Sequence, residues 1–382
     1  MKRALIVASV ASMIEQFNMN NIKILKDLGY KVDVATNFSN PGTISDDVAE
    51  KLINRLKSMD VGCFQIDFPR GMGSIKSDKE CYKKLKELSK NNYSIVHCHS
   101  PIGGVLTRLA FKKSSTKVIY TAHGFHFYKG GPIKSWIIFY PIERYFSRFT
   151  DVLLTINNED TRIANKFSAG KVVQIPGVGI KSNKYSKNYT KAEKNQIKNN
   201  LGIDHKSLVL ISIGELRDLK NHITGIKALA NFKKPAHYII CGEGALENDL
   251  KNEVKSMGLE KQVSFMGYVQ DAEKYLAISD ISLFLSKREG LGLAGLEAMS
   301  AGVPLISSYI GGIKDYTKEG KTGFTIENPV DSTAVLEALN SWSELSTTKK
   351  AEISLNCRRI SADYDESVVN EVMKDVYRSI TK

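Results

Sequence analysis

Two glutamates, a lysine and a pair of glycines carry the chemistry most easily read from this sequence. Glu289 and Glu297 stand with seven residues between them; Lys287 and Arg288 come just before the first, and Gly290-Leu291-Gly292 follows it. The spacing alone says little, because solvated helices often carry such pairs. The setting gives it meaning. An apolar run, 281–285, reads as a buried strand, and the glycine turn then opens a helix to about Ala301. Gly302 and Pro304 end that helix and admit a second strand, 304–308, closed by Gly311-Gly312. Ligands of open parallel sheets bind at the carboxyl ends of strands. A helix N-terminus there offers unpaired N–H groups and partial positive charge to an anion. Glu289 in the loop and Glu297 on the helix reach hydroxyl groups to either side. The layout suits a phosphate flanked by two sugars, as in a nucleotide-sugar.

A second run, 214–221 (GELRDLKN), follows another strand. It brings Lys220 to the next helix start, where a lysine acts as a flexible point charge on phosphate, and Arg217 adds a planar fork. In the first half, Thr121-Ala122-His123-Gly124-Phe125-His126-Phe127 leaves a strand end. His123, first beyond the strand, is the candidate for contact with a reacting sugar, whereas His126 reads as structural. His99-Ser100 leaves the preceding strand on what would be the acceptor side. A lone histidine is usually a satisfied structural residue; two loops at matching strand ends favour function.

His97-Cys98-His99 looks like a metal cluster, but alternation along a strand puts the two histidines on one face and Cys98 on the other. That is too few ligands for a closed site. Asp363-Tyr364-Asp365 suggests a metal–diphosphate bridge, yet it lies far from the strand ends, and Asp365 reads better as a helix N-cap. No metal and no cofactor is expected.

The elements that must position these residues alternate. In the first half, stretches 4–8, 31–36, 63–68, 93–98, 118–122, 152–156 and 172–175 read as strands. Helical spacing fills 13–28, 46–59, 77–91, 102–113 and 158–167, with a long aromatic helix over 134–149 interrupted at Pro141. Pro176-Gly177-Val178-Gly179 breaks the pattern, and a polar stretch, 181–200, reads as a linker with an exposed lead-in helix. Strands then recur at 208–213, 237–241, 263–266, 281–285, 304–308 and 323–326, with helices from Ser332 onward. Strict alternation of this kind predicts parallel sheets with helices on both faces. Two similar doubly wound domains meeting at a cleft are expected, 1–180 and 181–363, with 364–382 returning to the first.

The length, 382 residues, fits two domains, and 42% hydrophobic with 25% charged residues is globular. A net charge of +13 suits polyanions. No RNA- or DNA-reading motif appears, so nucleic acid is not an expected partner. Five cysteines without metal spacing point to a reducing cytosol. No secretory leader is read at the start, and no run of 18 apolar residues occurs. The chain has no P-loop, no strand–GxGxxG–helix run at its start and no serine nucleophile elbow, which argues against ATPase, dehydrogenase and α/β-hydrolase chemistry.

With these residues in view, the chain resembles the family 4 retaining glycosyltransferases of the GT-B fold, in the CapM-like or EpsD-like capsular and exopolysaccharide subgroup. The runs carrying the resemblance are HCHSPIGGVLTRLA (97–110), IYTAHGFHFYKG (119–130), YPIERYFSRFTDVLLTIN (140–157), IPGVGI (175–180), SIGELRDLKNH (212–222) and the stretch 286–312. The resemblance implies that Glu289 sits by the donor sugar, Glu297 holds the ribose hydroxyls and Lys220 binds phosphate. It places the backbone N–H groups of Gly292, Leu293 and Ala294 on the diphosphate, Gly214 beside it, the Gly267-Tyr268-Val269 turn at the base, and His123 near the transferred sugar. It implies front-face transfer with retention, from a UDP-sugar to a polyprenyl-diphosphate-linked saccharide. The place implied is the inner face of the cell membrane, peripherally bound and cytoplasmic.

The sequence departs from the family in three places. Glu215 stands where the family usually has arginine, so Arg217 or Arg288 is expected to replace that charge. Residues 10–18 lack the family's paired glycines, and Asp315 replaces a usual glutamate. Basic residues Lys83, Lys84, Lys86, Lys112, Lys113, Lys129 and Lys134 with Trp136, Phe139, Tyr140, Tyr145 and Phe146 favour an anionic membrane surface. The rival readings are a UDP-sugar 2-epimerase, which needs no acceptor, and a non-catalytic nucleotide-sugar-binding assembly protein.

Overall fold

The structure, a computed structural model, describes residues 2–69, 71, 73–99 and 101–380. The chain divides into two compact units, Met1–Val178 with Ser367–Lys382, and Gly179–Glu366. The first holds seven parallel strands: β1 (Arg3–Val7), β2 (Lys31–Thr36), β3 (Gly62–Gln65), β4 (Ile95–His99), β5 (Lys117–Ala122), β6 (Val152–Thr155) and β7 (Lys171–Gln174). Their order is β3-β2-β1-β4-β5-β6-β7. The second holds six: β8 (Leu208–Ile213), β9 (Ala236–Cys241), β10 (Val263–Phe265), β11 (Ile281–Phe284), β12 (Leu305–Ser308) and β13 (Gly323–Ile326), ordered β10-β9-β8-β11-β12-β13. In each sheet the winding reverses once, between β1 and β4 and between β8 and β11. A crevice for a ligand opens at such a reversal, outside the strand ends.

The strands are continuous apolar runs because helices cover both faces. Leu5, Val7, Val96, Cys98, Tyr120 and Leu153 belong to one buried cluster in the first unit. Within it sits a fully buried Arg108. Its Nη2 donates to Glu143 Oε2 at 2.9 Å and its Nε to the Gly104 carbonyl at 3.0 Å, while Tyr120 donates to Glu143 Oε1 at 3.0 Å. Removing one member of such a pair costs about 3–5 kcal/mol, because the other is left as a buried charge. The network pins one face of the Ile133–Phe146 helix inward.

Local chemistry explains where the elements depart from the sequence reading. The expected 13–28 helix is two helices, Ala11–Phe17 and Met19–Asp27. Asn18 lies between them, its carboxamide donating to the Met13 carbonyl at 2.9 Å. Short polar side chains compete with the helix ladder in this way. The interruption expected at Pro141 does not occur: the Ile133–Phe146 helix runs through it. Pro141 is exposed, so water can satisfy the carbonyl its ring deprives of a donor. Trp136, Phe139 and Tyr140, read as interfacial aromatics, pack against the core cluster instead. The outward face of that helix is carried by Ile133, Ile137, Ile138, Ile142 and Tyr145. The lead-in helix, Lys191–Asn200, is held by a Thr190/Glu193 capping box. No helix among the described residues is long and apolar enough to cross a membrane.

Candidate active site

In the second unit, the loops leaving the neighbouring strands β8 and β11 carry Lys220 and Glu289. The first loop passes through a tight turn, Asp218–Lys220, and ends at Asn221 in the left-handed region, φ 58°. Asparagine tolerates that conformation better than most residues. Its carboxamide donates to the Leu285 carbonyl at 3.0 Å and the Pro329 carbonyl at 2.6 Å. The Lys287 N–H donates to the Leu219 carbonyl at 2.8 Å, and Lys287 Nζ lies 2.5 Å from Asp218 Oδ1. The two loops are thereby stitched together, and Lys220 Nζ comes to 2.5 Å from Glu289 Oε1. Ser286 Oγ donates to that same oxygen at 2.8 Å. Both bonds fall on Oε1.

The glycines shape the turn that follows. Gly292 begins the Leu293–Ser300 helix with φ 87°, and a Cβ there would strike the Phe284 ring. The Tyr316 hydroxyl holds the turn through the carbonyls of Leu291, at 3.0 Å, and Gly292, at 3.1 Å. Gly311 and Gly312 pack against the carbonyls of Glu289 and Gly290 more closely than any side chain would permit. The helix has no side-chain cap, and a helix start of that kind can receive an anion on its first N–H groups. One turn further on, Glu297 is partly buried; burial raises its pKa, opposed by a hydrogen bond from Tyr185 and the Lys184 charge. Gly214 lies against the Lys220 stem.

Of the remaining candidates in this unit, Arg217 is exposed and paired with Glu215 at 3.2 Å. Arg288 is partly buried in the β11 loop. The turn with Tyr268 and Val269 is tied to the end of β9. Gly242 N–H donates to the Gly267 carbonyl at 2.8 Å, and Tyr268 N–H to Glu243 Oε1 at 3.1 Å. Asp365 precedes the last helix, and its carboxylate accepts from the Ser182 N–H at 3.2 Å.

The first unit gathers three histidines where β4 and β5 end, with His99 paired in register to Thr121. His97 Nδ1 lies 2.7 Å from the Tyr377 hydroxyl, and its Nε2 lies 2.7 Å from Thr121 Oγ1. His99 Nδ1 lies 3.0 Å from His123 Nε2. The His97 and His99 rings are 4.2 Å apart, as expected for alternate residues of one strand face, and Cys98 points into the core. Burial holds all three histidines neutral: it lowers His97 to about 3 and His123 to about 4, and pushes His99 well below its ordinary value. His126 is not part of this cluster; it is exposed, with its ring 4.9 Å from Phe139. Ser100 lies outside the described residues. Among the described residues no group of three or more His, Cys, Asp or Glu side chains is arranged to hold a metal ion. Ser286, Tyr185, Tyr316 and Tyr377, each holding a candidate residue or its turn, carried no signal in the sequence.

Comparison with known proteins places the chain in a family. Residues 193–358 match the family described as Glycosyl transferases group 1, and residues 6–157 the family described as Glycosyl transferase 4-like. The chain is 31% identical over 388 residues to EpsD of Bacillus subtilis (strain 168), covering 98% of this chain and 96% of that one. It is 32% identical over 302 residues to UDP-Gal:alpha-D-GlcNAc-diphosphoundecaprenol alpha-1,3-galactosyltransferase of Escherichia coli, covering 76% of each. Anabaena HepE, solved in complex with UDP and glucose, superposes with a TM-score of 0.78 at 18% identity, over 99% of this chain and 100% of that one. At that identity the likeness speaks for the fold. Matched in both halves and aligned along nearly its whole length with EpsD, the chain belongs to the group 1, family 4-like glycosyltransferases and has their GT-B fold of two Rossmann-like units.

Proposed function

We propose that this glycosyltransferase moves a hexose or N-acetylhexosamine from a UDP-sugar to a lipid-diphosphate-linked saccharide, with retention at the anomeric carbon. The observation that carries the reading is the joining of the β8 and β11 loops. It puts Lys220 on Glu289, in the loop that leads into an uncapped helix N-terminus, and Glu297 stands one turn along that helix. Lys220 and the N–H groups of Leu293 and Ala294 take the diphosphate. Glu289 Oε2 accepts from a sugar hydroxyl, and Glu297 accepts from the ribose. The Tyr268-Val269 turn borders the base. His123, neutral and partly buried, meets the transferred sugar as a hydrogen-bonding group. No resident metal or cofactor is assigned a role.

Charge explains the chemistry. As the bond from the anomeric carbon to the β-phosphate oxygen breaks, negative charge grows on UDP and positive charge on the sugar ring. Fixed cations and N–H dipoles stabilise the first without reorganising. The acceptor oxygen bonds to the same face of the anomeric carbon, and its proton passes to the departing phosphate oxygen. Arg217 or Arg288 supplies the second cation on the diphosphate where Glu215 stands; unchanged donor affinity in both Arg217→Ala and Arg288→Ala would remove that assignment.

The E. coli relative's name states a diphosphoundecaprenol-linked acceptor, which supports a lipid-linked acceptor here. The Ile133–Phe146 helix supports a membrane contact. Ile133 is 76% and Ile137 68% exposed, Lys134 and Arg144 lie on its exposed side, and its one acid, Glu143, is turned inward. An apolar face edged by cations suits an anionic lipid surface. The protein then works at the cytoplasmic face of the membrane without crossing it. UDP release over a panel of UDP-sugars, with and without a lipid-linked acceptor extract, tests the reading. Release requiring one donor and the lipid is expected. Conversion of donor without lipid would instead indicate an epimerase, and binding without turnover in any extract would sink the transferase reading.

A further inference from the structure

His99 is 2% exposed, and its Nε2 has no hydrogen-bond partner among the described residues. The ring lines a cavity of about 20 Å³ with His97, His123, Phe17, Asn21 and Met373, but Nε2 itself is closed to a water-sized molecule. What orients the ring is therefore the contact at Nδ1, 3.0 Å from His123 Nε2.

That contact couples the protonation of the two rings. A neutral imidazole carries one proton on one of two nitrogens. If His99 Nδ1 carries its proton, it donates to His123 Nε2, whose own proton must then sit on Nδ1. His99 Nε2 is in that case unprotonated. If His123 Nε2 carries the proton instead, it donates to His99 Nδ1, and His99 Nε2 carries the other proton. The two rings therefore share one label, both Nδ1–H or both Nε2–H, and mixed labels oppose two donors or two lone pairs. His97 is fully engaged by Tyr377 and Thr121 and stands outside this coupling.

We propose that His99 is a positioning residue for His123, and that their contact makes both rings share one tautomer. His123 then presents a defined donor or acceptor to the transferred sugar. The kinetic part rests on His123 touching that sugar, as read above; the tautomer coupling does not.

The test uses the full chain with 15N-labelled histidine at pH 7. Long-range 1H–15N spectra report each ring's tautomer, and His99 is assigned by its loss in His99→Asn. Matching labels on His99 and His123 are expected. Opposite labels or a charged ring would overturn the proposal. Kinetics separate positioning from packing. Asparagine can reproduce the Nδ1 contact to His123, and glutamine the Nε2 position, while glutamine is nearer histidine in volume. His99→Asn should keep more kcat than His99→Gln, which falls by about tenfold, the worth of one hydrogen bond. Donor affinity should stay near wild type in both. The reverse order would show that His99 only fills space. Matching tautomers without transferase activity would fault the function reading and leave the coupling standing.

Discussion

Burial raises the pKa of Glu297, and for a carboxylate the sign of that shift matters. A raised value means the fold prefers the protonated form. That preference stabilises the protein below the ordinary glutamate value and is lost as pH rises through the folded one. At neutral pH the ionised Glu297 is a burden on the unliganded fold, which the proposed ribose contact would relieve. Glu297→Gln should therefore melt no lower than wild type while binding UDP about tenfold or more weakly, the scale of a hydrogen bond to a charged group. A lower melting temperature with unchanged UDP affinity would make the carboxylate structural. Lys220→Ala should cut kcat by about 10²–10³, as loss of one preorganised oxyanion donor does. A full rate in that variant would remove Lys220 from the chemistry. Both positions were legible in the sequence because strand, glycine turn and helix start bracket them. Tyr185, bonded to Glu297, was not: it lies in a polar linker, where nothing local marks a residue that folds back onto a distant helix.

At the scale of elements, parallel sheets were the most legible feature, since strands buried on both faces must be apolar throughout. The errors fell where a side chain overrode the pattern. Asn18 splits a helix that periodicity alone runs straight through. Pro141 leaves its helix intact because the deprived carbonyl is on an exposed side. The Ile133–Phe146 helix also shows why composition could not assign its surface. Aromatic residues weighted the reading, yet Trp136, Phe139 and Tyr140 turn inward and isoleucines turn outward. The buried Glu143–Arg108 pair decides which face is which, and no local spacing announces it. If the outward face meets lipid, Ile137→Asp should weaken sedimentation with acidic liposomes while leaving the melting temperature within the small range of surface substitutions. Equal sedimentation of variant and wild type, or no binding by either, would rule this helix out as the contact.

The whole molecule should respond unevenly to acid. His97, His99 and His123 are all held neutral by burial in the first unit, with His97 lowered to about 3 and His123 to about 4. A base whose folded value is depressed adds stability above its unfolded value, near 6.5, and loses it as pH falls towards the folded value. Each such ring costs up to about 1.4 kcal/mol per pH unit across that window, so three approach about 4 kcal/mol per unit. The second unit has His222, lowered to about 4, and a milder shift at His237, both also from burial. Against them stands Glu297, whose raised value adds stability as pH falls. The first unit should thus loosen before the second between about pH 6 and pH 5. Hydrogen exchange can check this without relying on one global transition. Amides of β4 and β5 should lose protection over that range while those of β8 and β11 keep more of theirs. Equal loss in both sheets would mean the three rings are hydrated or already partnered with charge. Those conditions would also undo the neutral pairing on which the His99–His123 coupling depends.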